Sequence, residues 1–221
     1  MFVTGQHIRF RQGRWISNIA LKRGIMATYR AVGATCEAII RLLEQSWQPD
    51  TFDGTELQFA VYRTRDFSTP MDAGVSLFLY RVSVNSVQRT PPAKRGPHGR
   101  PRRTQLPLDL HFLLIPWAKD ASLEQVILGW MMRTLEDTPI LAAGILNTLT
   151  EGVFDPDETV EIVNGQLSNE EMFRIWDVLP NDYQISIPYS ARIVRIDSEL
   201  DRPEAGPVLS KDLNFGVLKD V

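Results

Sequence analysis

"VSLFLYRVSVNSVQRTPPAKRGPHGRPRRTQLPLDLHFLLIPW" occupies residues 75–117. Its two ends are rich in β-branched, aromatic and leucine side chains, the composition of strands. Its middle holds Arg89, Lys94, Arg95, Arg100, Arg102 and Arg103, with Pro91, Pro92, Pro97 and Pro101 and no acid. Such a middle favours an extended, solvated backbone over a packed one. The stretch therefore reads as two long strands joined by a basic insert over residues 86–105. Val75, Leu77 and Leu79 are apolar on one face of the first strand, and Phe78, Tyr80, Val82 and Val84 on the other.

Outward from there, the periodicities supply the remaining elements. Val32, Cys36, Ile39, Ile40, Leu43 and Trp47 recur at helical spacing, and Gln48-Pro49-Asp50 stops that helix. Residues 57–62 alternate as a strand. Ser122 with Gln125 reads as a capping box, opening a helix that buries Val126, Ile127, Trp130, Met131 and Leu135 and breaks at Thr138-Pro139. Val160 and Ile162 mark a short strand. Ser168 with Glu171 is a second capping box, before Met172, Ile175, Trp176 and Leu179. Residues 185–196 form a last strand. Three early strands without intervening helices predict an antiparallel meander. The expected fold is a single α+β domain: an antiparallel or mixed sheet of about five strands with helices on one face.

Three segments are expected along the chain: a basic leader at 1–25, the domain at 26–198 and a polar tail at 199–221. The leader contains Arg9, Arg11, Arg14, Lys22 and Arg23, and the first acid is Glu37. It has neither a clear period nor a secretory apolar core. Met26 opens the well-patterned region and reads as the natural start, with the leader an upstream misannotation or a disordered arm that packs against nothing.

Composition narrows the function. Hydrophobic residues make up 43% and the formal charge is −3, which suits a globular domain without a global attraction for nucleic acid. No apolar run approaches the ~20 residues of a membrane span. A single cysteine, Cys36, excludes an internal disulfide and a cysteine-built metal cage, and its place on an apolar helix face reads as a small hydrophobe. His7 and His98 lie in the leader and the insert. Asp109 and His111 share a strand face and could be a base and its orienter, against the plainer reading of a solvated polar pair. Asp155–Glu158 has oxygen ligands without calcium-loop spacing and reads as an acidic turn. Phosphate loops, nucleophile elbows and CxxC pairs are absent from the sequence, and no cofactor or metal is expected. The basic insert could bind phosphates but has no aromatic to stack on bases.

Four segments taken together resemble one family: residues 75–89 (VSLFLYRVSVNSVQR), 106–117 (LPLDLHFLLIPW), 124–141 (EQVILGWMMRTLEDTPIL) and 185–199 (ISIPYSARIVRIDSE). In this order and spacing they resemble the cap, or tube-terminator, proteins of phage-tail-like contractile injection systems of the Photorhabdus virulence cassette and antifeeding-prophage type. The resemblance covers roughly residues 29–199. It implies a structural, non-catalytic protein and a homohexameric ring that ends inner-tube growth and contacts the last sheath layer. It implies assembly in the bacterial cytoplasm, within a particle that can be released. The doubly apolar strand then suggests Phe78, Tyr80 and Val82 as part of a subunit interface. Arg89, Lys94, Arg95, Arg100, Arg102 and Arg103 become a candidate contact with tube or sheath. Two readings from other classes stand beside this one: a nucleic-acid-binding module using the basic loop, and a small hydrolase using Asp109 and His111.

Overall fold

The computed structural model describes residues 29–52, 54–88 and 104–198. The leader with Met26, most of the basic insert and the tail at 199–221 lie outside the described residues. Six strands form one mixed sheet: β1 (Gln58–Tyr62), β2 (Gly74–Val84), β3 (Leu106–Trp117), β4 (Ile140–Ala142), β5 (Thr159–Asn164) and β6 (Ile187–Ile196), in the order β1-β2-β3-β6-β5-β4. The helices are α1 (Ala31–Ser46), α2 (Ala121–Asp137), a single turn α3 (Ala143–Leu146) and α4 (Asn169–Asp177). Two 3-10 turns, Pro49–Phe52 and Thr64–Ser68, flank β1.

The long β2–β3 pair is antiparallel, as its sequence implies, and β3 also pairs antiparallel with β6. β1 departs from the expected meander: it pairs with β2 in parallel, Gln58 opposite Gly74 and Tyr62 opposite Phe78. Alternation of side chains reports faces and not direction, so the sequence pattern is the same for either sense. The chain returns through the turn Thr64–Ser68, and Tyr62 Oη accepts a hydrogen bond from Met71 N at 2.9 Å, which ties the return to the strand. At Gly74, with φ 150°, an added Cβ would lie 2.0 Å from Gln58 O. Only glycine lets the strands approach so closely there.

One face of the sheet carries the larger core. Val75, Leu77, Leu108, Leu110, Phe112, Leu114, Val160, Ile162, Tyr189, Ala191 and Val194 meet Ile39, Ile40 and Leu43 of α1 and Ile127, Met131 and Leu135 of α2. Val126, expected inside, is exposed, and Trp130 packs at the core's edge. α2 is capped two residues before the expected position: Asp120, not Ser122, is the N-cap, accepting from Leu123 N at 3.0 Å. An aspartate there also suits the positive helix end.

The other face is not bare, as helices on one face would leave it. α4 lies there, capped by the expected Ser168–Glu171 box. Trp176 and Leu179 pack on Leu113, Ile115 and Trp117, with Tyr62 and Phe67 beside them. The α4 segment has its apolar residues at the spacing of one helix stripe, and β3 offers it an apolar row on this face, so burial favours the second layer.

Candidate assembly surface

Two irregularities decide which side chains the sheet displays. In β2, Leu79 pairs with Phe112 and Arg81 with His111, so Tyr80 is an extra residue, a β-bulge. The bulge reverses the alternation. Phe78 and Tyr80 join the second cluster, while Val82 and Val84 pair with Leu110 and Leu108 and share the face of the first core. The expected apolar row Phe78–Tyr80–Val82–Val84 is therefore split between two faces. Phe78 and Tyr80 are half-buried, and Val82 is 46% exposed.

In β6, Leu108 pairs with Val194 and Leu110 with Ala191, so β6 carries its own extra residue. Ile193 sits in that bulge with φ 62°, a strained region for a β-branched side chain. Asp109 Oδ1 accepts from Ile193 N at 3.1 Å, and Asn85 Nδ2 donates to both carboxylate oxygens at 3.1 and 3.0 Å. Asp109 thus braces the bulge and the end of β2.

His111 lies on the same face, but its ring nitrogens meet serines: Nε2 with Ser83 Oγ at 3.0 Å and Nδ1 with Ser190 Oγ at 2.9 Å. Partial burial holds its pKa below the usual histidine value, Arg81 and Arg192 lower it further, and Asp109 opposes them. No carboxylate orients the ring, so the two residues proposed as base and orienter do not form that pair. They belong to a polar half of the second face, with Arg81, Ser83 and Ser190, beyond the reach of α4's apolar side.

Cys36 is buried, and burial with neighbouring Glu37 pushes its thiol pKa up to about 12. A thiol so rarely ionised is a packing group. Asp155 and Glu158 are joined by Asp197 from the end of β6, with candidate ligand oxygens within 4.8 Å of one another. This is the one such carboxylate group among the described residues. Its members have protein partners: Asp155 N donates to Glu158 Oε2 at 2.9 Å, and Gln105 Nε2 to Asp197 Oδ1 at 2.6 Å. Sequence spacing missed Asp197 because it is brought in by the β5–β6 pairing. Arg89, Lys94, Arg95, Arg100, Arg102 and Arg103 lie outside the described residues, as do His7 and His98. No helix among the described residues is long and apolar enough to cross a membrane.

The fold is similar to that of two tube terminators of contractile injection particles. A structure of the sheath/tube terminator of an extracellular contractile injection system, PVC, in its extended state matches with TM-score 0.57 at 18% identity, over 89% of this chain and 66% of that one. The anti-feeding prophage tube-terminating cap matches with TM-score 0.51 at 16% identity, over 81% of this chain and 59% of that one. The chain therefore spans less than two thirds of the length of those proteins. The family model of the Pvc16 N-terminal domain matches residues 34–210, and the chain belongs to that family. Comparison with curated proteins finds no match.

Proposed function

We propose that this protein is the cap of a contractile injection particle, a homohexameric ring that ends inner-tube growth and contacts the last sheath layer. The observation that carries the reading is the family match over residues 34–210. The fold likeness to two terminators supports it. The protein acts by assembly, in the bacterial cytoplasm, within a particle that can be released. Phe78, Tyr80 and Val82 lie near the subunit contact. Arg89, Lys94, Arg95, Arg100, Arg102 and Arg103 form the contact with tube or sheath, where their charge is screened by added salt. The formal charge of −3 over the full chain supplies no global attraction for nucleic acid.

Tube growth tests the reading directly. Tube and sheath proteins assembled without this chain should give tubes of uncontrolled length. Adding it should give tubes of limited length with a ring at one end in electron micrographs. An unchanged length distribution, with no protein at tube ends, would refute it.

A further inference from the structure

At one end of the sheet β2 finishes, β3 begins and β6 finishes together. Leu106, the first residue of β3, lies opposite Ile196, and Leu108 lies between Val84 and Val194. Side chains directly opposite one another share a face, so Leu106 and Ile196 carry the apolar surface of the first core out to the rim of the sheet. There the cover runs out. Leu108 and Val194 are buried, whereas Leu106 is 45% exposed and Val84 beside it 47%.

The chain leaves the sheet at this same rim. Gln105 Nε2 donates to Asp197 Oδ1 at 2.6 Å, which fixes the end of β6 beside the start of β3. Ser198 is the last described residue, and residues 199–221 follow it. Only β3 separates β6 from β2, so Val84 lies about 10 Å across the sheet from Val194. Extended, residues 199–207 reach up to about 30 Å, enough to turn back over the rim and set Val208 and Leu209 on it.

The segments outside the described residues are not equal candidates for the cover. The leader precedes the family match, which begins at residue 34. Residues 89–103 of the insert offer Ala93 and prolines as their apolar side chains, beside six Lys and Arg. The match ends at residue 210, past Ser198, so residues 199–210 belong to the same family unit as the sheet. Those residues contain Leu200, Val208 and Leu209, with Gly206 and Pro207 placed to turn the chain before the last two.

We infer that residues 199–210 fold back over this rim and cover Leu106 and Val84 with Val208 and Leu209. Removing those apolar side chains from water favours the docked segment. The folded unit then ends at residue 210 and not at 198, and the rim is an internal surface of this chain.

Thiol labelling of the full-length protein tests the docking. In a Cys36→Ala background, Leu106→Cys should react with a maleimide about tenfold more slowly than Ile140→Cys, which is 58% exposed at the far margin of the sheet. Val208→Asp with Leu209→Asp should raise the Leu106→Cys rate to that of Ile140→Cys and leave Ile140→Cys unchanged. A chain ended after Ser210 should keep the protection, and one ended after Ser198 should lose it. Should circular dichroism show the shorter chain unfolded, the full-length Leu106→Cys, Leu209→Cys double variant decides: an intramolecular disulfide in dilute solution is expected, and its absence counts against the docking. Labelling of Leu106→Cys as fast as Ile140→Cys in the full chain would overturn it, and so would protection that survives the two aspartates.

Discussion

The first core is broad and mostly aliphatic; the second is narrow and aromatic. The first lies under two long helices and draws buried residues from every strand but β1. The second is organised around Phe67, whose ring meets Tyr62, Phe78 and Trp176 edge-on at 5.4, 5.2 and 5.7 Å. Its indoles are tied to the frame by single hydrogen bonds, Trp117 Nε1 to Ser76 Oγ at 2.8 Å and Trp176 Nε1 to Ser186 Oγ at 3.2 Å. A nine-residue helix cannot stand alone in water, so α4 depends on this cluster. The first core should hold the fold, and the second should hold one layer against it.

The largest effect should come from the first core. Phe112 is fully buried and stacks on Tyr189 at 6.1 Å. Phe112→Ala should cost about 4 kcal/mol and lower the urea midpoint for the whole domain. In the second core, Phe67→Ala should cost about 3 kcal/mol, with a different signature. Near-ultraviolet dichroism from Trp117 and Trp176 should collapse while far-ultraviolet dichroism stays close to native. Equal collapse of both signals would erase the distinction between the cores.

Asp109 sharpens the comparison, because it braces the uncovered half of the second face. Asp109→Ala removes the acceptor for Asn85 and for Ile193 N and should cost about 2 kcal/mol. Amide exchange should accelerate around residues 191–196 and stay unchanged in α1 and α2. Ser168→Ala, which removes the α4 cap, should cost about 1 kcal/mol, read as faster exchange in α4 alone.

The smallest effect is a dependence on pH. His111 has a folded-state pKa below its unfolded value, so the unfolded chain binds the proton more readily. Its share of stability is intact above about pH 6.5 and declines as pH falls through the folded value. His111→Gln should flatten the melting temperature between pH 7 and pH 5 relative to the parent. A parent whose stability rises on acidification over that range would contradict the cause assigned to the shift.

Much of this was legible in the residues. α1, β2, β3, α4 and β6 announce themselves by long, consistent periods and by the Ser168–Glu171 box. β4 was missed because three residues after Pro139 hold too little pattern to count. The sense of β1 was missed because Gln58–Tyr62 reads alike in both directions. The side taken by α4 depends on Leu113, Ile115 and Trp117, distant in sequence, and no local signal carries that. The bulge at Tyr80 has no glycine to mark it, yet it moves Val82 to the other face. The strand β2 was thus read correctly as a strand, with Val82 assigned to the wrong face.

The pairing of β3 with β6 has a consequence in time. β3 is complete at Trp117, but its partner does not begin until Ile187. At ribosomal speeds of about 5–20 residues per second, the intervening chain takes on the order of 4–14 s to appear. For that interval the most apolar strand of the molecule stands beside an empty lane, and nascent chains halted between the two should be the ones that chaperones hold.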